Sequence, residues 1–187
     1  MAITGQITVD RDHVLVERHL AGERDAFDEL FARHRDKVYA IALGVVGNPD
    51  DALDVLQETF TSVHRHVRTF DRRARFSTWL YRVAVNAAIG ATRKKKARPP
   101  TVPLGEALAA PAVSSDGLNG DPVIHQALAE LTPNDRALLT LFYWDDLPLE
   151  EIAGIVGCSA NAAKTRLFRA RERFKERYTA LNGEAAR

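Results

Sequence analysis

A chain of 187 residues with 45% apolar side chains has the size of one ordinary domain or two small ones, and contains no run near the roughly 20 apolar residues that cross a bilayer. Its first residues, MAITGQITVDRDH, lack the basic-then-apolar plan of a secretion signal, so a cytoplasmic protein without membrane insertion is expected. Cys158 is the only cysteine, which excludes intrachain disulfides and multi-cysteine zinc sites, and the net charge of +1 conceals blocks of opposite sign.

Residues 1–64 are acidic, with 6 Lys/Arg against 12 Asp/Glu. Asp10 or Asp12 can cap a first helix holding Val16 and Leu20, with Gly22 as its stop. Asp25 is then expected to cap a long helix whose stripe Phe27, Leu30, Phe31, Val38, Ile41, Ala42 and Val45 runs to Gly47-Asn48-Pro49. His34 interrupts the stripe, and without a second His or Cys at metal spacing it reads as a histidine at the edge of a core. A third helix, about 50–67, is expected to bury Leu53, Leu56, Phe60, Val63 and Val67. Beside that row stands a polar one, Asp50, Asp54, Gln57, Thr61 and His64, either solvated or docked on a basic partner. No nucleophile, glycine-rich phosphate loop or paired histidines accompany these carboxylates, so they do not suggest catalysis.

The sign then reverses: residues 65–98 hold 11 Lys/Arg against the single acid Asp71. The stretch 68–75 reads as a basic loop, and Phe76 opens a helix to about Arg98 with a core stripe Phe76, Leu80, Val83 and Ala87. On a neighbouring stripe lie Trp79, Arg82, Asn86, Gly90 and Arg93. An aromatic ring can stack on an unpaired base, an amide can bond a base edge, and Arg93, Lys94, Lys95, Lys96 and Arg98 can hold phosphates.

From 99 to 121 there are four prolines, three glycines and no Lys or Arg, the composition of a linker. Asp121-Pro122 and Thr132-Pro133 then open two short helices, the second with Leu138, Leu141 and Phe142 inside. In residues 148–178, Ile152 and Val156 share a short helix face, Gly157-Cys158-Ser159 makes a turn in which Ser159 caps, and Ala163, Leu167, Ala170 and Phe174 continue at helical spacing. This is a helix-turn-helix pattern whose second helix carries Lys164, Arg166, Arg169, Arg171, Arg173, Lys175 and Arg177, a charge suited to the DNA major groove. Every predicted element is helical. Two basic blocks held apart suggest two nucleic-acid contacts.

Three blocks, DDALDVLQETF at 50–60, FSTWLYRVAVN at 76–86 and the 148–173 helix-turn-helix ending KTRLFRAR, make the chain resemble the extracytoplasmic-function bacterial sigma factors of the sigma-70 family. The resemblance implies an all-α fold of two small helical domains, a region 2 bundle at 1–98 and a region 4 helix-turn-helix domain at 122–187, joined by a flexible linker at 99–121. It implies a factor that binds core RNA polymerase through its beta-prime and beta subunits and directs promoter recognition, duplex opening and initiation, with no chemistry and no cofactor or metal of its own. By the same resemblance Asp50, Asp51, Asp54, Gln57 and Glu58 face the polymerase. Phe70, Arg72, Arg75, Trp79, Arg82, Asn86, Arg93 and Lys94 face the minus-ten element, Phe70 and Asn86 standing where the family lines a pocket for a flipped base. Ser159, Asn161, Lys164, Thr165, Arg166, Arg169 and Arg173 face the minus-thirty-five duplex. An anti-sigma protein is an expected partner. Leu53 stands where the family commonly has glutamate, Ala87-Ala88-Ile89-Gly90 where polar residues often choose the base, and Ala162-Ala163 where Thr-Val is usual.

The rival reading is a stand-alone helix-turn-helix regulator, which would bind a palindrome as a dimer without polymerase. It leaves the second basic block and the Trp79/Asn86 stripe unexplained.

Overall fold

The computed structural model describes residues 10–97, 122–143 and 147–185, and among them all regular structure is helical. The expected linker at 99–121 and the cation Arg98 lie outside the described residues. Four helices form an amino-terminal group, α1 (Arg11–Leu20), α2 (Arg24–Val46), α3 (Pro49–His66) and α4 (Phe76–Ala97), with a 3-10 turn at Val67–Thr69. A second group comprises α5 (Pro122–Ala129), α6 (Pro133–Tyr143), α7 (Leu149–Val156) and α8 (Ala160–Ala185). In the first, α2 packs on α1, α3 and α4; in the second, α5, α6 and α7 all pack on α8.

Local chemistry explains most boundaries. Asp10 caps α1, its side chain accepting from the Asp12 N–H at 3.1 Å. Asn48 caps α3 by accepting from the N–H groups of Asp50 and Asp51, both at 3.0 Å, and Pro49 occupies the first turn, where a missing donor costs nothing. The expected Asp25 cap is not made. The cap position of α2 is Glu23, whose carboxylate instead takes the Arg18 guanidinium, and Asp25 lies in the first turn, where its charge still complements the helix dipole.

The buried row of α3 is Ala52, Val55, Thr59, Phe60 and Val63, so the helix is rotated from the expected phase and Leu53 is 41% exposed. Large apolar residues suggested one stripe, but the small Ala52 allows close approach, and Thr59 is buried at little cost because its hydroxyl donates to Val55 O at 2.7 Å. Likewise α4 buries Phe76, Leu80, Tyr81, Ala84, Val85 and Ala88, while Val83 and Ala87 are half-buried. The reason is that α4 is covered on two sides, by α2 and α3 of its own group and by α6 and α7 of the other.

His34 is no edge residue: it is 7% exposed, with Nε2 2.8 Å from Asp12 Oδ2, and Arg33 Nε donates to Asp12 Oδ1 at 2.9 Å. Burial pushes the Asp12 carboxyl upward, but the hydrogen bond and charge of His34, with those of Arg33, outweigh it and leave the group below its usual 3.8. A depressed carboxylate stabilises the fold above its unfolded value, and that stability is lost as pH falls through the folded one. Asp12→Asn is therefore expected to cost about 1–3 kcal/mol at neutral pH. The difference from the native chain should narrow below the ordinary carboxylate value of 3.8. Thermal melts of both proteins from pH 7 to pH 3 check it, and a constant gap across that range would contradict the assignment.

Candidate nucleic-acid interface

Three polar surfaces stand on this frame. On α3, Asp50, Asp54, Gln57 and Glu58 are exposed together, with Leu53 as an apolar contact among them. Beside Gln57, the rings of Phe27, Phe31, Phe60 and His64 line an open cleft of about 460 Å³. Asp51 is different, because it is half-buried and accepts from Lys95 Nζ at 2.6 Å. The basic end of α4 folds back on this acidic face, and Lys94 and Lys95 share a cleft with Asp51, Asp54 and Glu58. Lys94 thus lies about 22 Å along α4 from Trp79, at the helix rise of 1.5 Å per residue, rather than beside it.

The second surface joins residues 70–75 to the start of α4. Phe70 is buried, its ring 5.5 Å from those of Phe76 and Trp79 and 5.4 Å from that of His13. The loop is held down on α1 by His13 Nε2, 3.0 Å from Ala74 O, and by Arg72, which donates to Glu17 at 2.9 Å. Trp79 is half-buried in the aromatic cluster, while Arg82, Asn86 and Arg93 are exposed. Trp79, Arg82 and Asn86 do share one side of α4, as their spacing required. That side faces α7: Arg82 Nε donates to Gly154 O at 3.0 Å, its Nη2 donates to the same oxygen, and Arg75 pairs with Glu151.

The third surface is the helix-turn-helix. Gly157 ends α7 at φ +69°, a left-handed conformation that a side chain would strain, and lets the chain turn within three residues. Ser159 Oγ then accepts from the Ala162 N–H at 3.2 Å, the expected cap. Ala163, Leu167 and Ala170 are buried, which leaves Asn161, Lys164 and Thr165 exposed on α8, and Arg166 and Arg169 exposed where they line a cleft shared with Asn86 of α4. Thr165 Oγ1 donates back to Asn161 O at 3.0 Å. Among the described residues Lys164, Arg166 and Arg169 form no ion pair, so their charge is available to a polyanion.

Three other cations of α8 are used internally, Arg177 among them in an ion pair with Glu130 at 3.4 Å. Arg173 donates to the buried Asp135 at 2.7 Å, tying α8 to α6, and Arg171 lies 4.7 Å from the Phe142 ring centre. Sequence spacing could not separate these from the outward-facing arginines, because their partners lie between 29 and 47 residues away; the acids at positions 130 and 135 were the available signal. Also unforeseen is Phe168, 61% exposed among the basic residues of α8. Among the described residues no three His, Cys, Asp or Glu side chains converge to hold a metal, and no helix is long and apolar enough to cross a membrane.

Comparisons with known proteins identify the family of the two helical groups. The family model for Sigma-70 region 2 matches residues 30–98, and that for Sigma-70 region 4 matches residues 123–174. The RNA polymerase sigma-H factor of Pseudomonas aeruginosa is 29% identical over 195 residues, covering 96% of this chain and 100% of the relative. The ECF RNA polymerase sigma factor SigW of Bacillus subtilis is 33% identical over 171 residues, 83% of this chain and 90% of the relative. The ECF sigma-E factor of Escherichia coli is 33% identical over 175 residues, 86% of this chain and 91% of the relative. Among solved structures, CnrH in complex with the cytosolic domain of CnrY superposes at a TM-score of 0.66 with 24% identity, covering 91% of this chain and 99% of that one. The sigma factor RpoE of Bartonella quintana, solved with the anti-sigma factor NepR, superposes at 0.59 with 21% identity, covering 82% and 96%. The fold is thus that of sigma factors, and this chain belongs to the extracytoplasmic-function group of the sigma-70 family.

Proposed function

We propose that residues 1–98 bind core RNA polymerase and open the minus-ten element, that 122–187 hold the minus-thirty-five element as duplex, and that 99–121 tether the two. The observation that supports this best is that one small bundle carries both an exposed acidic face on α3 and the Trp79, Arg82 and Asn86 side of the adjacent α4. A stand-alone DNA reader has no use for the first. The acidic face engages the beta-prime subunit, with Leu53 at its centre in place of a charge. Phosphates are held by Arg72, Arg75, Arg82 and Arg93, and Asn86 bonds the edge of an extruded base. Lys164, Arg166 and Arg169 meet the duplex, with Ser159 and Asn161 at the start of the reading helix and Thr165 between the cations.

Each DNA contact is weak by itself. Polymerase fixes their separation, so the second engagement proceeds at a high effective concentration and the pair gains affinity without a new contact. Extruding a base costs a few kcal/mol of stacking and pairing, which capture against protein offsets. The chain acts in the cytoplasm, makes and breaks no bond, and is held in check by an anti-sigma partner; the structural neighbour RpoE was solved in complex with one, NepR.

Asp54→Lys reverses charge at the centre of the acidic face without touching the core. It should weaken capture of the core enzyme about tenfold, the 1.4 kcal/mol that a few close charge pairs supply at a protein interface. A pull-down titrated with core polymerase measures this. Unchanged affinity would remove α3 from the interface.

A further inference from the structure

Of the buried ionisable side chains among the described residues, Asp12 and His34 hold each other, Asp135 holds Arg173, and Arg136 is left over. Arg136 is 7% exposed, yet its Nε is buried without a hydrogen-bond partner, and among the described residues no ion pair reaches its guanidinium. The acids nearest to it in sequence are engaged elsewhere, Asp135 by Arg173 and Glu130 by Arg177. Burial pushes its titration down, and no carboxylate pushes it back. Arginine keeps its charge even so, and a buried guanidinium with nothing to donate to is among the most costly groups a fold can carry.

Arg136 lines an open cleft of about 280 Å³, whose apolar walls are Leu43 and Val46 of α2, Pro49 of α3, and Leu128 and Ala129 of α5. The walls are fixed in place. At the crossing of α2 and α6 a Cβ on Gly44 would stand 2.5 Å from Cγ2 of Thr140, a buried and β-branched residue that cannot swing away. At about 30 Å³ per water the space takes about nine waters, or one organic molecule of about as many heavy atoms. Arg136 is the one permanent charge lining it among the described residues, with His125 beside it, so a single negative charge balances the site. The last turn of α2 also lines the cleft, and the partial negative charge at that helix end resists a dianion. A guanidinium fork takes both oxygens of a planar carboxylate.

The structure assigns this cleft as a binding site for a small organic monocarboxylate, its carboxylate taken bidentately by Arg136 and its apolar body packed on Leu43, Val46, Pro49 and Leu128. The site goes beyond promoter recognition and uses none of the residues assigned above to polymerase or DNA. Because its walls come from both helical groups, occupancy is linked to their contact.

Sodium benzoate is the probe, titrated into the full chain at constant ionic strength while NMR follows the Arg136 Nε–Hε resonance. A molecule of this size should bind with a Kd of about 10 mM or tighter. Benzamide keeps the body without the charge and inorganic phosphate keeps the charge without the body, so each should bind about tenfold more weakly. Ala129→Trp fills the cleft from an exposed position and should abolish the shift with helix content unchanged. Arg136→Met removes the charge and keeps the stem. It should lose the rise in melting temperature that benzoate gives the native chain, and without benzoate it should melt at or above the native chain, since a stranded charge is gone. No saturable shift up to about 50 mM benzoate, or a shift that persists in Ala129→Trp, would overturn the site. Benzamide or phosphate binding as tightly as benzoate would overturn the ligand class. An Arg136→Met chain that melts well below the native one, or does not fold, would mean that the guanidinium serves the fold and would overturn the proposal as well.

Discussion

Replacing Phe76 by alanine should remove about 3–5 kcal/mol of stability and with it the ability of the amino-terminal half to support initiation. Phe76 is fully buried and is the largest of the fully buried side chains. Its ring meets Phe70 at 5.5 Å, His34 at 5.7 Å and Trp79 at 5.9 Å, so it joins the buried Asp12–His34 pair on one side to the Phe70 and Trp79 rings on the other. Truncation loses the transfer free energy of the ring and leaves a cavity walled by His34 of α2, Phe70 of the loop and Trp79 of α4, which cannot all relax into it. For a bundle of this size each kcal/mol lowers the melting temperature by about 4–8 °C, so a drop of at least about 12 °C is expected in a calorimetric melt. Phe76→Leu, which keeps most of the volume, should recover much of it. A melting point within a few degrees of the native one would show that the core is not organised around this ring.

The second large effect belongs to a residue that carries almost no stability. Asn86 is exposed, so Asn86→Ala should leave the melt unchanged, yet reduce initiation at a cognate promoter about 5- to 150-fold, the equivalent of the 1–3 kcal/mol that a good bidentate amide–base contact supplies. Affinity for core polymerase should stay within twofold of native. Separation of the two readouts is the point of the experiment: equal loss of both would mean that Asn86 supports the bundle or the polymerase contact and does not read a base.

The chain's helices were legible because their signals are local. Proline at a first turn, Asn48 and Ser159 as caps, glycine at a left-handed stop and apolar residues every three or four positions all act within one turn of the helix they define. The helix-turn-helix could be read for the same reason. Burial phase was harder. In α3 the true inner row contains Ala52 and Thr59, residues that hydropathy ranks low but that fit because one is small and the other bonds its own helix, whereas Leu53 points outward.

Partners distant in sequence could not be read. The Asp12–His34 pair spans 22 residues, Arg173–Asp135 spans 38 and Arg82–Gly154 spans 72. Nothing within a helical window distinguishes an arginine that will hold a carbonyl of another helix from one free to meet a phosphate. The largest difference is α4, which two groups of helices cover. Its expected single stripe was too narrow because α4 is covered on two sides, Tyr81 meeting His34 of α2 while Val85 faces Ala137 and Leu138 of α6 across a cleft.

Run-off transcription with purified core polymerase tests the central claim most directly. Genomic DNA fragments from the source organism serve as template, and the 5′ ends of the products are mapped with and without the chain. With the chain present, a discrete set of new start sites is expected, each preceded by shared sequence at two separate places, one for α8 and one for α4. Identical 5′ ends in both reactions, from a polymerase shown to have bound the chain, would contradict it.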